Sequence, residues 1–515
     1  MAFKFRVKKP FAGMTAPEVG VTLACRLLAA MLVLSVIVFV LRATTPFVMA
    51  DAWFYVLKVI RPWQEGHLSI ADFFVTRGPS DHMQPIYRLV LLMHTAWFHM
   101  DFTVEALVGV IFAIACVYLW YRLARSVLAQ APRMAVATQL TGLALVAVVF
   151  SLNARGVYDW PLVTLAFMGI FAVSALLVAT PVLADRGTLP AFAGLAGLAL
   201  LVFLVDDTYG ILAVICAVVL LALMRLRRQV GHDAWARTTL VLVAVAIAYV
   251  AVCRVLFPYI GTSTTPRQGL APLLTLLNDH WRESWKLLVI PTGTVIATPQ
   301  RIVQGLGVSP WEVPRVLVAL AIPVCVANVW FWVNYFRRKP NTLTFTAAGL
   351  MLFFYFSLAA ILVSRLPRFG FDYLHEGRYM QVYELQWVAV LMMFAQTLSE
   401  RPDSRVHKSV LTGVALLLVI LAGSYVILAR REVHSVYAYQ KHIAAQIEQF
   451  GADPGAPPKN CMANFITPCS HWSQASRVEV FQTLERGPYN VFSPAFQKWH
   501  RHQMPGTLAA SAPPR

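Results

Sequence analysis

The chain has 515 residues, of which 58% are hydrophobic and 13% are charged, and its mean hydropathy is +0.63. A soluble protein of this length needs more charge to cover its surface, so the composition excludes one. The net charge of +18 does not indicate a nucleic-acid partner, because most basic residues lie in short clusters between apolar blocks, a pattern that favours anionic lipid headgroups.

The apolar blocks predict an all-α polytopic membrane protein with about eleven spanning helices, because about 20 helical residues cross about 30 Å of hydrocarbon. The first block begins at Val21 after a basic start. It is too long for a signal peptide, so we expect it to remain in the protein. In chain order the predicted helices cover residues 21–42, 104–126, 134–152, 158–181, 190–206, 209–226, 237–257, 314–336, 343–364, 379–398 and 408–429.

The distribution of lysine and arginine predicts the orientation of these helices. Basic clusters such as 225–228 and 337–339 alternate with connections that carry few basic residues, so the N-terminus is expected in the cytoplasm. Arg430 and Arg431, at the end of the last helix, run against this pattern. An odd number of helices then places the C-terminus in the periplasm, outside a cell inner membrane.

The prediction divides the chain into a cytoplasmic tail (1–20), a membrane domain (21–429) and a periplasmic tail (430–515). The periplasmic tail starts as a helix and becomes rich in proline and glycine, so we expect it to be loosely folded. Its Cys461 and Cys469 favour a disulfide if the tail is outside the cytoplasm. The outside loops of the membrane domain are predicted over 43–103, 258–313 and 365–378.

The first outside loop contains an apolar stretch, residues 86–99, that is too short to span the bilayer. A stretch of this length suits a helix that lies in the interface, with His94 and Trp97 at the level of the headgroups.

Carboxylates at the outside ends of predicted helices are candidates for chemistry, because charge at a membrane edge is costly. Asp51 follows the first helix and Asp159 opens the fourth. Together they could provide a general base and a group that orients the substrate or a metal. For Asp159 the alternative is an N-cap. Asp206 and Asp207, at the tip between the fifth and sixth helices, fit either a turn or a cation site.

The connection between the ninth and tenth helices carries many basic residues for an outside loop, where they are normally depleted. Arg378 leads directly into an apolar helix, where its guanidinium could fork onto a phosphate at headgroup depth. The alternative is snorkelling towards lipid headgroups. The other polar residues of this connection are Arg365, Arg368, Asp372, His375, Glu376 and Tyr379.

A second polar stretch in the first loop offers Asp81, His82, Gln84 and Arg88. His82 could be a catalytic or metal-binding group, although a lone surface histidine is usually neither. The chain has no HExxH sequence, no Ser-His-Asp order and no Walker A motif. Hydrolase and nucleotide-binding chemistry therefore have no support from the sequence.

In the order of these elements the chain resembles the GT-C superfamily of membrane glycosyltransferases, which includes protein O-mannosyltransferases and lipid A aminoarabinose transferases. The resemblance covers roughly residues 20–430 and rests on arrangement rather than on long motifs. It is carried by an acidic residue after the first helix, a His-Met-Gln-Pro segment before a short apolar helix, an acidic residue entering the fourth helix and a late Arg-Tyr pair: Asp51, 82–85, Asp159, Arg378 and Tyr379.

Three segments depart from the pattern of the family. Where the family has an acidic pair in the first loop, this chain has Asp51-Ala52, and where it has a Lys-Pro-Pro sequence later in that loop, this chain has His-Met-Gln-Pro at residues 82–85. The hairpin between the fifth and sixth helices often carries lysine in the family and has Asp206-Asp207-Thr208 here.

The resemblance implies inverting transfer of a sugar from a polyprenyl-phosphate-linked donor to a glycan, lipid or protein acceptor of the cell envelope. Asp51 would be the general base, and Asp159 would position the acceptor or a metal. A divalent cation is left open as a cofactor, with no ligand assigned. Binding of the donor phosphate is assigned to Arg378, Tyr379, Arg368 and His375, and binding of substrate to His82, Gln84 and Glu376.

Two other functions remain open at this point. An O-antigen polymerase or ligase would centre its chemistry on arginine and histidine, so an Asp51→Asn change would be mild. A transporter or flippase would show paired half repeats and broken helices near the middle of the membrane, and no internal repeat is evident.

Overall fold

The computed structural model describes residues 15–76, 81–130, 134–257, 269–455, 467–468 and 472–504. These residues form helices and no strand, which agrees with the all-α prediction. The α-helices are α1 Ala16–Ala43, α2 Ala52–Tyr55, α3 Arg61–Gln64, α4 Pro85–Phe98, α5 Phe102–Leu128, α6 Ala135–Val149, α7 Gly156–Asp159, α8 Pro161–Leu165, α9 Phe167–Arg186, α10 Leu189–Val205, α11 Asp207–Leu226, α12 His232–Leu256, α13 Leu270–Asp279, α14 Lys286–Gly293, α15 Pro299–Leu306, α16 Val313–Arg337, α17 Thr342–Ser364, α18 Leu366–Phe369, α19 Met380–Glu400, α20 Arg405–Ala452, α21 Gln474–Arg486 and α22 Pro494–Trp499.

Short 3-10 turns, and one π-helical turn at Val56–Ile60, join some of these helices. The 3-10 turns are Ile70–Phe74, Trp281–Glu283, Pro310–Glu312, Phe371–His375, Gly377–Tyr379, Asn490–Phe492 and Arg501–Gln503.

A helix lies at each of the eleven ranges predicted to span the membrane, and the protein is a multi-pass membrane protein. Within the described residues, eight helices are long and apolar enough to cross a bilayer. The helices α6 and α10 are apolar but shorter, and α19 carries the buried polar residues Gln381, Glu384 and Gln386. The number of crossings therefore stays a prediction beyond these eight.

Helix α19 lies at the centre of the membrane domain, where it packs against α17, α5, α6 and α16. Most of its side chains are buried, including Tyr383, Val388, Met392 and Leu398. A helix that is surrounded on all sides by other helices can carry polar groups, because neighbouring chains supply hydrogen-bond partners that lipid lacks. Gln381, for example, donates to the carbonyl of Val163 at 2.7 Å.

Helix α20 has 48 residues and a length of about 72 Å, more than twice the thickness of the hydrocarbon core. Its last turns leave the membrane domain and pack Ile443, Ile447 and Phe450 into a second apolar core. The prediction that the tail begins as a helix is confirmed.

The rest of the tail does not match the expectation of a loose fold. Phe481 of α21 contacts Trp53 with the ring centroids 5.5 Å apart, and Phe496 of α22 contacts Phe47 at 5.8 Å. The tail and the first loop thus bury apolar surface against each other. The Pro and Gly content of the tail did not predict this packing. Cys461, Cys469 and the predicted disulfide lie outside the described residues.

The apolar stretch of the first loop forms α4, as predicted, and Trp97 is 67% exposed. The expected position of His94 at headgroup level is wrong. Its ring is buried, and its Nε2 lies 3.2 Å from Oε2 of Glu105 on α5. This contact fixes one face of α4 against the membrane domain.

Candidate functional site

The tip between α10 and α11 holds the polar stretch of the first loop in place. Asp206 caps α11, since its Oδ1 accepts the backbone N–H of Tyr209 at 3.0 Å. The same carboxylate accepts a bond from Nε2 of Gln84 at 2.7 Å, and its Oδ1 lies 3.3 Å from Nδ1 of His82. The backbone N–H of Asp207 donates to the carbonyl of Met83. Two segments more than 120 residues apart are therefore joined at one point.

The electrostatics of this contact favour a charged pair. Burial lowers the pKa of His82, but the nearby carboxylate of Asp206 and its hydrogen bond outweigh burial and raise that pKa to about 9. Burial likewise raises the pKa of Asp206, but His82, Gln84 and the backbone bond outweigh it, so the pKa falls below its ordinary value. At neutral pH the imidazolium and the carboxylate stabilise each other.

The connection before α19 forms the opposite side of the site and presents Arg378. This guanidinium lies 5.1 Å from the ring centroid of Tyr373, 5.6 Å from that of Tyr379 and 5.8 Å from that of Trp160. Its Nη2 also donates to the hydroxyl of Tyr373. The aromatic rings hold the guanidinium in position, and no carboxylate of the described residues forms an ion pair with it.

Gly377, in the turn just before Arg378, is needed for a close approach between two backbones. A Cβ at this position would lie 3.3 Å from Cα of Gly156, at the start of α7. Only a residue without a side chain allows this contact without movement of one segment.

The first loop contributes the third side of the site. Asp51 precedes α2, one turn before Tyr55, whose hydroxyl donates to Oδ2 of Asp81 at 3.2 Å. The buried guanidinium of Arg88 lies over the ring of Tyr55, 3.1 Å from its centroid. Tyr55 thus links the acidic part of the loop to α4.

These three sides enclose a partly open cavity of about 410 Å³. Its charged and amide-bearing lining residues include Asp51, Asp81, His82, Gln84, Asp206, Arg365 and Arg378. Apolar residues of α8, α11, α17 and α19 also line it and include Leu162, Leu212, Ala360, Ile361 and Val382. A cavity of this kind fits a ligand with a polar head and an apolar chain.

Five of the site residues predicted from the sequence line this cavity: Asp51, His82, Gln84, Arg378 and Tyr379. The other four do not line it. Arg368 and Glu376 are exposed, and Arg368 lies over its neighbour Phe369. His375 is half-buried in the turn before Glu376, where burial lowers its pKa. Asp159 belongs to a different cluster.

Asp159 is part of a group of paired charges that we call the Glu432 network, consisting of Arg155, Asp159, Arg301 and Glu432. Nε of Arg155 lies 3.5 Å from Oδ2 of Asp159, and its Nη1 lies 3.2 Å from Oε2 of Glu432. Arg301, which is buried, approaches the same Oε2 at 3.2 Å and donates to the carbonyl of Leu152 at 2.9 Å. Burial raises the pKa of Asp159, and Arg155 opposes that rise.

Asp81, Asp206 and Arg365 line the cavity although they are not among the predicted site residues. All three occur within the polar stretches that the sequence identifies. Asp206 is the informative one, because a carboxylate between two apolar helices needs a partner. The spacing alone could not show that the partner is His82, since the two residues lie 124 positions apart.

His82, Asp206 and Asp207 have ligand atoms within 4.8 Å of one another, a spacing compatible with one cation. Both oxygens of Asp206, however, already accept bonds from N–H groups. A carboxylate satisfied by N–H donors has fewer lone pairs for a metal. The donor set therefore fits a hydrogen-bonded ion pair better than a metal centre.

Comparisons with family models, with curated proteins and with solved structures find no match to this chain.

Proposed function

We propose that this protein is a membrane glycosyltransferase of the GT-C type that takes a sugar from a polyprenyl-phosphate-linked donor. The acceptor is a glycan, lipid or protein of the cell envelope on the periplasmic side of the inner membrane. The proposal includes eleven crossings, a cytoplasmic N-terminus and a periplasmic C-terminus. Basic residues near the short connections after α11, α16 and α19 support this orientation.

The observation that carries the proposal is the composition of the cavity. Carboxylates and two guanidiniums line it together with apolar side chains of four helices of the membrane domain. A polyprenyl phosphate sugar combines the same two kinds of surface, with a sugar and a phosphate joined to a long hydrocarbon chain. Neither Arg365 nor Arg378 forms an ion pair within the described part of the chain, so both charges can face a phosphate.

The proposed reaction is a single displacement at the anomeric carbon of the donor sugar. The oxygen of the acceptor hydroxyl forms a bond to that carbon while the bond from the carbon to the phosphate oxygen breaks. Asp51 takes the proton of the hydroxyl. The electron pair of the broken bond leaves with the polyprenyl phosphate, whose charge Arg378 and Arg365 neutralise.

The remaining cavity residues position the sugar. Gln84 and His82 are held by Asp206, which leaves their other polar atoms to bind hydroxyl groups. Tyr379 contacts Arg378 and aligns it. Asp159 acts indirectly in this proposal, because it precedes Trp160, whose ring lies beside the guanidinium of Arg378.

The first test is Asp51→Asn, with Asp372→Asn as the matched control because that side chain is 91% exposed. Loss of a proton acceptor should reduce transfer by about 10²- to 10⁴-fold. Cells carrying each variant are labelled with radioactive sugars, and the lipid-linked sugars and envelope glycans are separated and counted. We expect Asp51→Asn and the gene deletion each to lose one glycan and to accumulate its lipid-linked donor.

An unchanged glycan in the Asp51→Asn cells, with normal amounts of protein in the membrane, would contradict the proposal. Severe loss in Arg378→Gln together with an active Asp51→Asn would instead favour a polymerase or ligase, whose chemistry centres on arginine and histidine. If neither change affected the glycan while the deletion did, a transporter or flippase would be the better explanation.

A further inference from the structure

A second cavity of about 480 Å³ lies between α1 and α20, and none of its lining residues belongs to the candidate site. We call it the α1–α20 groove. Its apolar floor includes Val38 and Phe39 of α1 and Val426 of α20, and its polar end is formed by Arg42 and Arg430. Both arginines come directly after a long apolar run, so they stand at the same edge of the membrane domain.

Within the described residues, the arginines of the groove have no acidic partner. No acidic residue lines it, and neither Arg42 nor Arg430 forms an ion pair within the described residues. Glu432, two residues beyond Arg430, is engaged by Arg155 and Arg301 in the Glu432 network and is not part of the lining. His434, one turn after Arg430, adds a further polar group to the same end.

We propose that the α1–α20 groove binds an anionic phospholipid. The phosphate contacts the guanidiniums of Arg42 and Arg430, and an acyl chain lies along Val38, Phe39 and Val426. Snorkelling alone would let each arginine reach any headgroup. A concave site with two arginines at its rim and an apolar floor holds one lipid molecule and discriminates by net charge.

A bound anionic lipid would also explain why arginines occur at the outer ends of α1 and of the membrane part of α20. Arginines at the outer end of a helix run against the usual distribution, and Arg42 and Arg430 are two such residues. A bound anionic lipid offsets their charge at this edge. The inference does not depend on the proposed reaction.

The test uses the full-length protein in vesicles that contain a photoactivatable phosphatidylglycerol, with phosphatidylcholine as the bulk lipid. Labelled peptides are identified by mass spectrometry. We expect labelling of peptides from the ends of α1 and α20, and a reduction of about tenfold in the double variant Arg42→Gln, Arg430→Gln. The matched control is Arg282→Gln, Arg315→Gln, which removes two exposed arginines elsewhere in the described chain and should leave this labelling unchanged.

A second variant tests whether lipid labelling depends on the space in the groove as well as on the charge of its arginines. Val38→Trp keeps both arginines and fills the floor of the groove, so it should also reduce labelling of these peptides. Equal labelling by a photoactivatable phosphatidylcholine would overturn the proposal. So would labelling that persists in the folded double variant, or an equal loss in the control variant.

Discussion

The segment 155–163 contributes residues to both the Glu432 network and the cavity, but the arginines of these two regions differ in whether they are paired. In the network, each charged group has an opposite charge within 3.5 Å. In the cavity, Arg365 and Arg378 form no ion pair within the described residues, and Nε of Arg378 has no hydrogen-bond partner there. The first arrangement stabilises the fold, and the second leaves charge available to a ligand.

The difference shows that the role of a charged residue at a membrane edge cannot be assigned until its contacts are known. In the sequence, Asp51 follows the first predicted spanning helix and Asp159 opens the fourth, so both are expected at the outside face. One lines the cavity and the other faces Arg155. Substitutions in the two regions should therefore separate activity from stability, with Asp51→Asn giving the largest loss of activity.

Replacing Arg378 should give the next largest effect. Arg378→Gln removes a charge that would stabilise the leaving phosphate, and we expect transfer to fall by about 10²- to 10³-fold. The measurement is the rate of sugar transfer by purified protein in vesicles. Arg368→Gln, in the same connection but outside the cavity lining, is the control and should retain activity. Equal losses in the two variants would mean that the whole connection, rather than the cavity, binds the donor.

Replacing Glu432 tests the other region. Glu432→Gln leaves the buried Arg301 without its opposite charge, and we expect a loss of about 3 kcal/mol in the free energy of unfolding. Activity per folded molecule should remain within about twofold, since Glu432 does not line the cavity. Thermal unfolding in detergent is compared with that of Glu485→Gln, an exposed control on α21. A stable but inactive Glu432→Gln protein would mean that the Glu432 network takes part in the reaction. The network and the cavity would then not differ in function.

Much of the fold follows from the sequence, because apolar length and helical period determine where long helices form. A helix lies at each predicted range, and the short apolar stretch of the first loop forms α4. The packing of the tail could not be predicted in this way. Residues such as Phe481 and Phe496 are buried in part against Trp53 and Phe47, which lie more than 400 positions earlier in the chain.

The site could be predicted only where a local pattern carried the signal. Asp51, His82 and Arg378 stand out because each is a polar residue beside an apolar run. The pairing of Arg155 with Glu432 spans 277 positions, so no local pattern distinguishes Asp159 from a cavity residue. Ion pairs between distant positions determine which charged side chains remain able to bind a ligand. Such pairs cannot be predicted from the residues next to each position in a single sequence.

The pH dependence of the cavity gives a smaller effect with a definite sign. The pKa of His82 is raised from 6.5 to about 9, so the stabilisation from its charge is complete below 6.5 and is lost as pH rises through about 9. The pKa of Asp206 is lowered from 3.8, so its contribution is present above 3.8 and is lost as pH falls through the lowered value. Unfolding temperature should therefore decline on the alkaline side near pH 9.

Asp206→Asn tests this assignment without removing the cap of α11, because asparagine also caps helices well. Without the carboxylate, only the weaker attractions of Asp207 and Asp81 oppose burial in setting the pKa of His82, so the alkaline decline in unfolding temperature should become smaller. An identical alkaline decline in the wild type and in Asp206→Asn would show that another group is responsible.

Gly377→Ala should have the smallest effect and tests how closely the two regions are coupled. The new Cβ would lie 3.3 Å from Cα of Gly156, which precedes Asp159 of the network by three residues. The contact must widen by a few tenths of an ångström, and this shift moves Arg378 relative to the rest of the cavity. We expect transfer to fall about threefold with little change in unfolding temperature. Gly413→Ala, where no atom lies within 4 Å of the added Cβ, should change neither quantity. If Gly377→Ala lowered stability and left the rate unchanged, the close approach would serve the network rather than the cavity.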